Sequence, residues 1–111
     1  MENKDHVTAE DVEREVNAES EKILKLAEEH NCPRWLLPLF QAGEWIGKAV
    51  ERSGGSIKEG EDMSFAMGQI VRMRGVEKSF EVAAECFNRW LDGNPYKPGI
   101  DLAKELIAGK R

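Results

Sequence analysis

The chain has 111 residues, 41% of them hydrophobic and 33% charged, and a net charge of −5. This length and apolar content suit one globular domain over 1–111 and exclude a chain disordered throughout. No run approaches the roughly 18 apolar residues of a membrane span, and the acidic surplus disfavours nucleic-acid binding by the surface as a whole.

The surplus is uneven. Residues 1–31 hold 10 acids and 4 bases, a net of −6, which leaves 11 acids and 12 bases, a net of +1, for 32–111. Ala, Leu, Glu, Lys and Arg supply 50 residues, whereas Val, Ile and Thr supply only 14. That balance favours helix over strand. The predicted fold is all-α, a compact bundle of about five helices.

Residues 1–7 are expected to be disordered. A long charged helix is predicted to start at Thr8, a capping residue preceded by Val7 as a hydrophobic staple and followed by acids in the first turn. Its apolar stripe is thin: Val12, Val16 and Ile23, then Leu24, Leu26 and Ala27. Its first half buries little alone, so it is expected to fray, to project, or to pack on a second copy of the chain. Asn31 and Pro33 end it.

Pro33 and Pro38 punctuate the entry to a central apolar helix over 34–52. Leu36, Leu39, Phe40, Gly43, Ile46, Gly47 and Val50 share one face, with Trp35, Leu37 and Trp45 partly off it. A helix apolar over so much of its circumference is central or has two partners. The glycines at 54 and 55 mark a loop predicted over 53–62. Asp62 is the expected cap of a third helix carrying Met63, Ala66, Met67, Ile70 and Met73 up to Gly75. Ser79 is the expected cap of a fourth, with Phe80, Ala83, Ala84, Phe87, Trp90 and Leu91 at helical spacing up to Gly93. A turn rich in proline spans 94–99, and a short last helix follows Asp101, with Leu102, Ala103, Leu106 and Ile107 inward.

No residue pattern matches a catalytic motif, and no catalytic, metal-binding or cofactor-binding set is assigned. Cys32 and Cys86 are isolated from each other and form no CxxC pair. With no apolar signal core in the first 30 residues, they read as reduced thiols of a cytoplasmic protein. Cys86 lies on an apolar stripe and is expected in the core. Glu77, Glu81 and Glu85 recur at i+4 and could in principle hold a divalent cation. The simpler expectation is a solvated face on which Glu85 pairs with Arg89.

Three candidate surfaces remain. Val12, Val16, Trp35, Trp45 and Phe65 are the candidates for contacting a protein partner, because they are apolar residues in excess of what a small core needs. The first reading is therefore a non-enzymatic interaction protein, such as an adaptor, regulator or assembly factor, that works through helix packing. It is expected to form a homodimer through Val12, Val16, Ile23 and the central helix. Gly43 and Gly47 form a small-xxx-small face which, with Met67, could admit a helix or a small ligand close to the backbone; the alternative reading is thus a helical ligand- or metal-binding domain, enzymatic or not. Arg72, Arg74, Lys78 and Arg89 form the strongest basic group, the basis of a third reading as a nucleic-acid-binding regulator. The acids at 77, 81 and 85 weigh against it, since they would repel phosphate.

Overall fold

The computed structural model describes residues 6–109. Among them are six α-helices and no strand: α1 (Ala9–Ala18), α2 (Ser20–Glu29), α3 (Leu37–Arg52), α4 (Ile57–Arg74), α5 (Ser79–Leu91) and α6 (Ile100–Gly109). Single 3-10 turns, Arg34–Leu36 and Val76–Lys78, lead into α3 and α5. The bundle has one helix more than predicted because the long first helix breaks at Glu19, where the backbone leaves helical geometry (φ −117°, ψ 25°). No glycine or proline marks that break.

Caps set most of the other boundaries. Thr8 and Asp11 form a capping box on α1, and Ser56 and Glu59 form another on α4. In each, two orphan amide donors are satisfied reciprocally. The second box moves the start of α4 forward to Ile57, so the loop predicted over 53–62 shrinks to 53–56. Asp62, expected as a cap, instead lies inside α4 and pairs with Lys58 one turn earlier. Ser79, also expected as a cap, opens α5 with its hydroxyl donating to the Val76 carbonyl at 2.6 Å. Schellman turns close α2, α3 and α5, with Asn31, Gly54 and Gly93 at positive φ. In each the amide two residues past the cap reaches back to a last-turn carbonyl: Cys32 to Ala27, Gly55 to Val50 and Asn94 to Arg89.

α3 is the central helix and touches α1, α2, α4 and α5. Its buried side runs through Ala42, Trp45, Ile46, Ala49 and Val50. This face is rotated from the predicted one, since Trp45, expected partly off the face, is only 6% exposed. The Trp45 indole meets Phe87 edge-on at 5.4 Å, Phe87 stacks on Trp90 at 6.0 Å, and the Trp45 Nε1 donates to Glu15 Oε1 at 2.7 Å. Those partners on α5 and α1 explain the rotation: burying an indole gains most when its N–H also finds an acceptor.

α1 neither frays nor projects. Val12 and Val16 are fully buried in the core α1 shares with α3 and α5. Val7 is clamped by the Asn88 amide, which accepts from its N–H and donates to its carbonyl, both at 2.8 Å. His6 lies 2.9 Å from Asp92. The disorder expected over 1–7 therefore does not extend to His6 and Val7, and residues 1–5 lie outside the described residues. α6 keeps Leu102 buried, but Ala103 and Ile107, predicted inward, are exposed. It is anchored instead by Glu105 on Arg89 and by the Gly99 N–H donating to Gln69 Oε1.

Candidate functional site: the groove between α3 and α4

The short 53–56 connection makes α3 and α4 an antiparallel hairpin, and glycines set how closely they approach. At the loop end, Gly60 packs on the backbone of Gly47: a Cβ placed on Gly60 would stand 2.9 Å from the Gly47 carbonyl oxygen. One turn further, the Ser64 hydroxyl donates to the Gly43 carbonyl at 3.3 Å. Beyond that point a groove of about 420 Å³ lies between them. Leu39, Phe40 and Gly43 line its α3 side, and Phe65, Met67 and Gly68 its α4 side. Met67 is buried as part of the floor, whereas Phe65 is 60% exposed on the lip. Glu44, Gln69 and Arg72 add the polar groups.

The groove gathers candidates from all three predicted sets: Gly43 and Met67 of the ligand set, Phe65 of the partner set, and Arg72 of the basic set. Gly47 lies outside it, in an adjoining hollow of about 270 Å³ toward the loop end of the hairpin, which Gly43, Ile57 and Gly60 also line. Trp35 is 70% exposed on the 3-10 turn before α3, and it is not among the residues lining the groove. Val12, Val16 and Trp45 must be corrected as partner-contacting residues. They are buried in their own chain, as is Ile23, so the expected dimer through them has no accessible surface to use.

The basic group is divided. Arg74 pairs with Glu85 at 2.9 Å, Lys78 with Glu81 at 3.7 Å, and Arg89 with Glu105, while the Arg89 guanidinium lies 3.8 Å over the Tyr96 ring. Arg72, on the groove, pairs with no acid among the described residues. The set therefore forms no continuous free cationic surface of the kind phosphate contacts require. The predicted Glu85–Arg89 pair is likewise replaced. Glu85 accepts from Arg74 and from the Tyr96 hydroxyl. Burial alone would raise the Glu85 carboxyl, but the Tyr96 and Arg74 bonds outweigh it and hold the group below its ordinary value. Tyr96 is pushed up to about 12, by burial first and then by the neighbouring Glu85.

This corner borders a second hollow, of about 460 Å³, lined by Ile70, Met73, Arg74, Arg89, Tyr96, Glu105 and Leu106. Its charged groups pair with one another, but the buried Arg89 Nε has no hydrogen-bond partner among the described residues. Cys86 is fully buried nearby, and burial foremost pushes its thiol up to about 12, which leaves it without nucleophilic character at neutral pH. Among the described residues no group of three His, Cys, Asp or Glu side chains is placed to hold a metal ion, and no helix is long and apolar enough to cross a membrane.

No family model, no curated protein and no solved structure matches the chain. The groove was partly visible in the sequence, through the small-residue face and through Phe65 lying off its helix's apolar stripe. Glu44 and Gly68 were missed. Nothing in their own neighbourhoods signals a site, and their roles arise only from the register of α3 against α4.

Proposed function

We propose that the chain is a small helical interaction protein, with the groove between α3 and α4 taking an apolar helix or segment of a protein. The observation that carries this is the exposed Phe65 phenyl beside an apolar hollow on a hairpin whose backbone is fixed by the Gly60–Gly47 contact. A rigid aromatic at the edge of a preformed apolar groove, rimmed by a few polar groups, is the usual anatomy of a helix-in-groove interface. The reading as an adaptor, regulator or assembly factor rests on this face and no longer on α1. The alternative, a small apolar ligand in the same groove, is supported by its volume, which falls within the roughly 300–1,000 Å³ range of ligand sites.

Site-directed photo-crosslinking in cells separates the two. A crosslinking amino acid at Phe65 is expected to give discrete protein adducts, while the same group at Leu24 or Ile107, also exposed but outside the groove, gives none. Equal or absent protein adducts at all three positions would overturn the interaction reading. An added small mass on the gently purified chain, read by native mass spectrometry and lost on Phe65→Asp, would support the ligand reading.

A further inference from the structure

Resting on the interaction reading, we infer that the occupant of the α3/α4 groove is the same groove of a second copy of this chain, related by a two-fold axis that passes close to Gly68. Three features of the face point to a copy of itself.

The first is charge. Glu44 and Arg72 both line the groove, and neither has an ion-pair partner among the described residues. The Gly47–Gly60 and Gly43–Ser64 contacts set the antiparallel register. In that register Glu44 stands level with Met63, about nine residues before Arg72 on α4, or about 14 Å along the groove at 1.5 Å per residue. One end of the groove is therefore acidic and the other basic. A two-fold axis midway between them places each Glu44 opposite the partner's Arg72, twice over, as an isologous interface requires.

The second feature is Gly68, which lies at that midpoint. A glycine inside a helix costs about 1 kcal/mol relative to alanine. Gly60 has a reason within the chain, since a Cβ there would collide with Gly47. Gly68 has none, because a Cβ there would meet no atom within 4 Å. A bare backbone at the crossing point of two symmetry-related helices permits their closest approach. The third feature is shape. Phe65 projects from the lip beside the hollow floored by Met67, so knob and hole belong to one patch and each copy can fill the other.

The test is light scattering across a concentration series of the full chain, with charge-reversal variants. Wild type is expected at twice the 12.5 kDa chain mass. Gly68→Leu, which fills space open in the single chain, is expected to raise the dimer dissociation constant at least 100-fold while leaving the helical circular dichroism intact. Glu44→Arg and Arg72→Glu are each expected to weaken the dimer at least tenfold, and an equimolar mixture of the two is expected to form a heterodimer as tight as wild type. That mixing result distinguishes a pair between chains from one within a chain, which only the double variant could restore. A wild-type monomer at every concentration, an unweakened Gly68→Leu dimer, or no recovery on mixing would each overturn the proposal. If the chain is a monomer but a crosslinker at Phe65 still captures a different protein, the second-copy proposal falls and the interaction reading stands.

Discussion

Trp45 and Phe65 belong to the same helical hairpin and have opposite surroundings. Trp45 faces α1 and α5, with Phe87 against its ring and Glu15 accepting its N–H. Phe65 is 60% exposed, on the lip of a groove between α3 and α4 that the described chain leaves open. By residue type the two are equally good candidates for a partner surface. The difference between them lies in which neighbours the fold supplies, and it shows that a surplus of large apolar residues does not say where an interface lies. Here a thin, highly charged α1 is enough to cover Trp45, because Val12 and Val16 are both used in the core and Glu15 completes the polar end of the indole.

The sharpest way to break this contrast is Trp45→Ala. Deleting a buried indole with an edge-on aromatic neighbour is expected to cost about 3–5 kcal/mol of folding stability. It also removes one of the two donors to Glu15, leaving Arg52 as the other. The urea unfolding midpoint checks it, and a change below about 1 kcal/mol would mean that Trp45 is not part of the core.

A smaller effect separates the two ends of the hairpin. Gly60→Ala drives a methyl into the Gly47 backbone, and overpacking of this kind costs about 1–3 kcal/mol. Gly47→Ala, on the other side of the same contact, meets nothing within 4 Å and gains helix propensity, an expected stabilisation of up to about 1 kcal/mol. Opposite signs from two glycines in contact would show that the closed end is set by one of them. Stabilisation by both would mean that the helices adjust their spacing freely and that the contact does not fix the groove, while destabilisation by both would mean that Gly47 is confined as well.

A third corner offers a closed polar contact for comparison with the open groove. The Tyr96 phenol is raised to about 12 in the folded chain, against an ordinary value of 10.0. The fold therefore favours the neutral phenol. Its contribution is fully present below pH 10 and is lost as pH rises from there through about 12. Tyr96→Phe is expected to show a shallower fall in stability across that window by thermal unfolding. A slope identical to wild type would show that the Tyr96–Glu85 contact is absent in solution.

Much of the fold was legible because helical periodicity and caps are local. Helices α3 and α5 form where the apolar spacing predicts, although the buried faces are rotated (Val82 and Cys86 join Ala83, Ala84 and Phe87 on α5), and Gly75 and Gly93 stop their helices where expected. The start of α4 at Ile57 differs from the predicted start after Asp62, although its signal is present in the sequence. Ser56-x-x-Glu59 has the pattern of a capping box, set among glycines at 54, 55 and 60 that read as loop residues. Gly60 is helical for a reason that lies on α3. The break at Glu19 has no local signal, and neither do the clamp of Asn88 on Val7 or the reach of Glu15 to Trp45, each of which joins residues far apart in the chain. The groove shares this limit. The sequence groups Gly43 with Met67 as a ligand face and sets Phe65 on a partner surface, but the placing of Glu44 and Arg72 at two ends of one groove with Gly68 between them follows only once two helices are laid side by side.

The smallest expected change is also the one that best tests the open side. A phenyl 60% exposed in its own chain contributes little to that chain's folding, so Phe65→Ala is expected to alter stability by no more than about 0.5 kcal/mol at low protein concentration. Dimerisation adds stability by mass action, since a partner that binds only the folded state shifts the unfolding equilibrium in proportion to its concentration. The wild-type melting temperature should therefore rise with protein concentration while that of Phe65→Ala stays level, so that the two curves diverge from a common starting point. If the curves are separated even at the lowest concentration, Phe65 is packed within its own chain and the groove is not open. If they coincide at every concentration, the groove binds no second copy, and the exposed phenyl serves some other protein.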